Sequence, residues 1–325
     1  MFYDIAHMPL KDLRRIIAYS SYVGISRHNL DILIKTYHLD LDRTLFYTFW
    51  FDFTTAGLIL GKNLNIITRT HGHDLYENIY FLSSYWRRET FKRLKGCYPV
   101  STAGVEYLRS RYPEFKDIIS LRKLGTVKPY ERLNPYKKEL SDPYDLTLLS
   151  IARLSPEKGV DRQLKLLIEY ALHHPDLSIR YIHIGDGLLK KEIQEISSSA
   201  PDNLHIELRG AVSNGEVHEL LATLHIDLLL LLSHSEGLPI SLCEAISYGI
   251  PYLATDVGGI SEIVPQELLP LLPDDMTYTQ FSDTMERILS SGPELRPKLF
   301  KHWQENFCAD TLRKEFAKEI SGMFS

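Results

Sequence analysis

Two glutamates, Glu236 and Glu244, stand eight residues apart in Ser-His-Ser-Glu-Gly-Leu-Pro-Ile-Ser-Leu-Cys-Glu-Ala (233–245). The apolar run Leu228 to Leu232 precedes them and ends in a short polar turn that holds Glu236 and Gly237. Pro239 then opens a helix, because proline suits the first helical position, where its missing N–H costs nothing. The N–H groups of that first turn, including those after Leu238 and Pro239, point beyond the strand end. With the helix dipole they make an anion site. An ionised carboxylate only accepts hydrogen bonds, so the two glutamates suit hydroxyl groups. Hydroxyls beside an anion describe a sugar joined to a phosphate.

A second group lies in Ala152-Arg153-Leu154-Ser155-Pro156-Glu157-Lys158-Gly159, after another apolar run. Arginine forks onto phosphate and lysine acts as a compact point charge. Taken alone, Arg153 and Lys158 read as surface charge. Beside 233–245 they read as a diphosphate grip, because both segments start at strand carboxyl ends of one sheet. Gly185-Asp186-Gly187 fails the dinucleotide fingerprint, since Lys190 stands where a third glycine is required. It reads as a tight strand-to-helix turn. Asp256-Val257-Gly258-Gly259-Ile260-Ser261-Glu262 offers either close backbone approach to a ligand or a plain turn.

In the first half, Arg69-Thr70-His71-Gly72-His73-Asp74-Leu75 follows an apolar strand. Its spacing matches no strong metal signature. His71 is expected to face a cleft and hydrogen-bond substrate, the alternative being a structural turn. Trp86 to Lys95 is basic and amphipathic, with Arg88, Lys92 and Lys95 expected on one helical face. That face is either solvated or laid on an anionic membrane. Nucleic acid is not expected, because no recognition motif accompanies the charge.

These residues need strands to carry them. Residues 8–38 read as helical, and 44–50, 64–68, 97–100 and 118–122 as strands with helices between most of them. The stretch 123–143 lacks periodicity and reads as a linker. Strands are then expected at 145–152, 179–184, 204–208, 226–232 and 251–254, with helices at 161–174, from about 188, and at 308–323. Such alternation predicts α/β architecture with parallel sheets. The expectation is two Rossmann-like doubly wound domains facing a cleft, which is the default ligand site. Their bounds are 1–141 and 142–307, the second carrying the expected sugar–phosphate site. A helix over 308–325 is expected to cross back to the first domain.

The 325 residues suit two domains. No apolar stretch approaches the ~20 residues of a membrane span, and the start lacks a signal-peptide pattern. Cys97, Cys243 and Cys308 are scattered and odd in number, which indicates neither a disulfide framework nor a zinc site. A cytoplasmic location fits, peripheral at the inner face of the membrane on the membrane reading. Charge divides unevenly. Residues 1–141 carry 22 Lys/Arg and 14 Asp/Glu (+8), and 142–325 carry 15 and 28 (−13), which together give −5. A basic half suits an anionic partner, such as a membrane surface or phosphorylated acceptor, or is solvated surface.

Arg153…Lys158-Gly159, Ile184 to Gly187, Leu208-Arg209-Gly210, Glu236-Gly237-Leu238-Pro239, Glu244 and Gly258-Gly259…Glu262 occur in this order over 145–265. The stretch resembles retaining glycosyltransferases of the GT-B architecture, in family four. Tyr47-Thr48-Phe49-Trp50, the His71 segment and Val100 to Gly104 are similar to the subset that builds capsular and exopolysaccharides. The resemblance implies that Arg153 and Lys158 hold a donor diphosphate and that Glu236 hydrogen-bonds the transferred sugar. The Gly237–Pro239 backbone would meet phosphate, Glu244 the ribose hydroxyls, and the Gly210 region the base. His71 would lie near the donor sugar and the reacting centre. It also implies transfer with retention to a saccharide or lipid-linked acceptor, without metal or cofactor. Full-length relatives open with a strand and a glycine-bearing loop. This chain opens in a helical segment, so its first domain is expected to lack that unit. Two alternatives are a sugar-nucleotide epimerase, which the Arg153/Lys158 and Glu236/Glu244 set disfavours, and a truncated, inactive subunit that binds nucleotide sugar or supports a partner.

Overall fold

The computed structural model describes residues 10–60, 63–76, 81–136, 142–265 and 267–322. The chain divides into two compact units. One holds residues to Lys123 together with Glu319 onward, and the other holds Leu124–Lys318.

The first unit opens with helix α1 (Leu10–Thr36), strand β1 (Leu45–Thr48) and helix α2 (Phe53–Leu58), which Asp52 caps. Strand β2 (Asn65–Thr70), the helical turn α3 (Gly72–Leu75) and helix α4 (Phe81–Phe91) follow. Strand β3 (Leu94–Pro99) and helix α5 (Thr102–Arg111), capped by Ser101, complete its main elements. The strands form a parallel sheet in the order β1-β2-β3. Its core gathers Leu30 from α1, Phe46, Leu58, Ile66, Phe91, Cys97 and Leu108. Helix α2 lies so close to α1 that a Cβ on Gly57 would stand 2.6 Å from the Ser26 Cβ.

The strand expected at 118–122 is not a full strand. Residues Pro113–Ile118 form a 3₁₀ helix, and only Ile119 bridges β3, at Cys97. The Ser120 and Arg122 N–H groups still reach the carbonyls of Cys97 and Pro99 at 3.0 Å. The next step of the ladder needs an N–H from residue 99, and proline has none.

The second unit begins with residues read as a linker. Here they are docked: Thr126 bridges Cys308, and the Asn134 side chain donates to the Leu221 and Leu224 carbonyls at 2.8 and 2.7 Å. Strand β4 (Leu146–Ile151), helix α6 (Val160–His173), strand β5 (Ile179–Ile184), helix α7 (Lys190–Ser197) and strand β6 (Leu204–Leu208) make its first half. Helix α8 (Asn214–Thr223), strand β7 (Leu228–Leu231), helix α9 (Ile240–Ser247), strand β8 (Tyr252–Ala254) and the turn α10 (Ile260–Ile263) follow. Helices α11 (Tyr278–Leu289), α12 (Leu295–Asn306) and α13 (Ala309–Ser321) close the chain. All five strands are parallel, in the order β6-β5-β4-β7-β8. They read as continuous apolar runs because helices cover both faces. Leu148, Leu149, Leu228 and Leu230 are fully buried, and α6 adds Leu164, Leu167 and Ala171. Among the described residues no helix is long and apolar enough to cross a membrane.

Candidate functional site

Counted within the second unit, the strand order is 3-2-1-4-5, so the order of strand addition reverses between β4 and β7. At that point the two following loops leave to opposite sides and open a crevice beyond the strand ends. The loop after β4 runs through a 3₁₀ turn, Pro156–Lys158, to Gly159 at φ 58°. A Cβ on Gly159 would stand 2.3 Å from the Leu232 carbonyl oxygen, so only glycine lets this loop lie against the end of β7. The His234 N–H closes the contact by donating to the Glu157 carbonyl at 2.8 Å.

The two loops meet at Lys158 and Glu236. The Lys158 ammonium donates to Glu236 Oε2 at 2.7 Å, and the two side chains are only 18% and 4% exposed. The other carboxylate oxygen accepts from the Ser233 hydroxyl at 2.7 Å. Ser233 is held in turn through its carbonyl by the Thr255 hydroxyl at 2.6 Å. Beneath the Glu236–Gly237 turn lie Gly258, at φ 56°, and Gly259. A Cβ on Gly258 would fall 1.8 Å from the Glu236 carbonyl oxygen, and one on Gly259 2.2 Å from that of Gly237. The Gly259 N–H donates to the Gly237 carbonyl at 3.0 Å. The paired glycines are therefore a bed for the Glu236 turn.

Pro239 is the cap of α9, extended at ψ 104°, so the helix begins at Ile240, one residue later than expected. It is buried, while Gly237 is exposed and Leu238 packs on the core. Glu244 is 7% exposed on α9. Asn214 and His218, one turn apart on α8, both address its Oε1, at 2.9 and 3.6 Å. The other His218 nitrogen lies 3.1 Å from the Tyr248 hydroxyl. Sequence reasoning missed Asn214, His218 and Ser233. The spacing of the first two on one helical face was the available signal.

Arg153 is 76% exposed and lies 3.3 Å from Glu157. The Glu157 carboxyl sits below its usual range, through the Ser155 hydroxyl and then Arg153 and Lys158. Gly185 is at φ 144°, and a Cβ there would fall 1.8 Å from the Ala152 carbonyl oxygen. Its N–H donates to the Gly210 carbonyl at 2.8 Å. The turns after β4, β5 and β6 thus lie against one another, with Gly210 open above them at φ 68°.

His71 belongs to the first unit, where it precedes α3. Its N–H and the Thr70 hydroxyl donate to Asp74 Oδ1, at 2.6 and 3.1 Å. The Asp74 N–H goes to the His71 carbonyl and not to the ring. Burial raises the Asp74 carboxyl, against the pull of these bonds. The imidazole is 9% exposed, with the Phe49 and Trp50 ring centroids 4.5 and 4.4 Å away. Among the described residues neither ring nitrogen has a hydrogen-bond partner. Burial, then the Arg69 guanidinium, pushes its pKa down to about 4. Among the described residues no group of His, Cys, Asp and Glu is arranged to hold a metal.

The basic helical face expected at 88–95 does not form as such. Helix α4 ends at Phe91, and Lys95 lies in β3. Arg88 pairs with Glu114, and Lys92 with Glu89 at 2.7 Å.

The family model for glycosyl transferases group 1 matches residues 134–306, just over half of the chain. A phosphatidylinositol N-acetylglucosaminyltransferase subunit of Arabidopsis thaliana is 30% identical over 156 residues, 47% of this chain and 33% of its own. The putative teichuronic acid biosynthesis glycosyltransferase TuaC of Bacillus subtilis is 34% identical over 220 residues, 64% of this chain and 51% of its own. The chain thus spans about half or less of the length of these relatives. Among solved structures, TarM of S. aureus, in complex with UDP and α-GlcNAc-glycerol, superposes with a TM-score of 0.67 at 14% identity. That match covers 91% of this chain and 58% of TarM. Anabaena HepE, in complex with UDP and glucose, gives 0.66 at 15% identity, covering 90% of this chain and 80% of HepE. The shared fold is GT-B, with two Rossmann-like domains.

Proposed function

The chain belongs to the glycosyl transferases group 1 family, and from that premise we propose that it moves a sugar, with retention, from a nucleoside-diphosphate sugar to a saccharide or lipid-linked acceptor. The observation that carries this is the Lys158–Glu236 pair at the reversal of the second sheet, set on the Gly258-Gly259 bed. Lys158, with Arg153 reaching in from its exposed position, takes the diphosphate. The Gly237–Pro239 backbone and the start of α9 meet the same phosphates. Glu236 accepts from a hydroxyl of the transferred sugar. Glu244, fixed through Oε1, offers its other oxygen to ribose hydroxyls, and the Gly210 turn borders the base. His71 serves near the sugar and the reacting carbon.

In the reaction the anomeric carbon–phosphate oxygen bond breaks and an acceptor oxygen bonds that carbon on the same face. The acceptor proton passes to the departing phosphate. Negative charge builds on the diphosphate, where Lys158, Arg153 and the α9 start stabilise it. No metal or cofactor is called on. The second unit takes the donor and the first the acceptor. The UDP bound by HepE and TarM supports a uridine donor. An anionic membrane surface is a further proposed contact of the basic half.

The test is a thermal-shift panel of UDP, GDP, ADP and TDP on wild type, Lys158→Ala and Glu244→Gln. A ligand at about a hundred times its dissociation constant adds roughly 2.7 kcal/mol to a native state that alone binds it. One nucleotide should stabilise wild type, with the effect lost in Lys158→Ala and weakened in Glu244→Gln. Equal stabilisation of all three proteins, or of none, overturns the assignment.

A further inference from the structure

We propose that Phe49, Trp50 and His71 form a subsite that takes the ring of a saccharide. This rests on the glycosyl-transfer reading above and adds two residues to which that reading gives no role. Phe49 and Trp50 follow β1 and remain 47% and 39% exposed. Their rings meet edge to face at 5.5 Å, and both lie over the imidazole. Two large rings left partly in water forgo burial that a core position would give. A buried imidazole whose two nitrogens meet no partner among the described residues carries a desolvation penalty. Neither arrangement serves stability, and each matches one side of a pyranose. The C–H face of the sugar suits aromatic faces, and its hydroxyl rim suits a group that both donates and accepts.

His71 is such a group. Neutral imidazole has one N–H donor and one bare acceptor nitrogen. Burial and Arg69 keep it neutral well below physiological pH, so it reads hydroxyls and not charge. The backbone beneath is already fixed. The Thr55 hydroxyl donates to the Trp50 carbonyl at 2.6 Å, and the Phe51 N–H donates to Asp74. Thr48 ties Thr55 and Thr68 together at 2.7 and 2.8 Å. Phe49 and Trp50, whose rings lie against the imidazole, are partly exposed, and such side chains rotate fast.

The sugar is the acceptor's or the donor's, and saturation-transfer NMR on the full chain separates the two. The probes are methyl α-glucoside, methyl β-galactoside, methyl N-acetylglucosaminide and UDP-glucose. Ring protons of at least one methyl glycoside should take up saturation from wild type and Lys158→Ala. The signal should fall roughly fivefold in Phe49→Ala and Trp50→Ala, the scale of losing an aromatic contact. Uridine saturation in those two variants serves as the fold control. Loss of glucosyl saturation from UDP-glucose in Trp50→Ala, with uridine signal intact and no free glycoside bound, assigns the ring to the donor and keeps the subsite. Wild-type binding of glycosides without any binding of UDP removes the donor assignment and leaves the subsite standing. Signals that are absent from wild type for every sugar ring, or unchanged in both aromatic variants, overturn it.

Discussion

At the residue scale the site depends on side chains that hold one another. Lys158 and Glu236 are nearly buried and share one bond, so removing either leaves the other as an uncompensated charge. Breaking such a pair costs about 3–5 kcal/mol. Lys158→Ala should therefore melt lower than wild type, while Lys158→Ala/Glu236→Gln recovers part of the loss without recovering transfer; calorimetry and a transfer assay read the two effects. His71 and His183 give a second prediction. Burial lowers both imidazoles to about 4 in the folded chain, against 6.5 unfolded. Between those values the unfolded state binds more protons, so stability falls as pH drops from about 6.5 to 4. A His71→Gln variant should lose less over that window, by on the order of 2 kcal/mol, in urea unfolding at pH 7 and pH 5. The carboxylates and cations were legible in the sequence because few chemistries place them after apolar strands. Asn214 and His218 were not, since polar residues on a helix face are ordinary until a partner such as Glu244 is seen.

At the element scale, strands and crossover helices of the second unit were readable from length and apolarity, and the strand ends carry the loops of the candidate site. What failed were elements whose fate lay outside them. The strand at 118–122 was cut short by Pro99, a residue of its neighbour. The basic face over 88–95 failed because the chain leaves its helix after Phe91 and enters β3. Glycines set the loops. Gly258 combines φ 56° with no room for a Cβ against Glu236. Gly258→Ala should cost about 1–3 kcal/mol in backbone strain alone. It should also weaken UDP binding, because the displaced segment carries the Gly237–Pro239 backbone proposed to meet the phosphates. Gly210→Ala has a similar φ but open space, so it should cost less and leave transfer closer to wild type; paired melting and binding curves compare the two.

At the scale of the whole molecule, the division after Lys123 gives the second unit its own closure. Residues 124–136 return onto α12 and α13 through the Thr126–Cys308 bridge and the Trp303 indole, which donates to the Thr126 hydroxyl at 2.8 Å. Residues 124–318 produced alone should fold cooperatively and bind UDP within a fewfold of the full chain, with transfer lost; calorimetry of the fragment with and without UDP checks this. This packing was invisible in the sequence, because 123–143 has turn-like composition and its anchors, Leu221, Tyr248 and Phe307, lie far along the chain.

The bond between Lys158 and Glu236 has one more consequence. If Lys158 takes the diphosphate as proposed, the glutamate is its tethered rival, already seated at the lysine at 2.7 Å. On that proposal an arriving nucleotide would have to evict it and a departing one would be replaced by it, so Lys158 would not be left bare in a dry crevice. With the roles proposed above, Glu236 would hold down the affinity for the spent nucleotide and so favour its release after transfer. Glu236→Gln should accordingly hold UDP more tightly than wild type while transferring nothing.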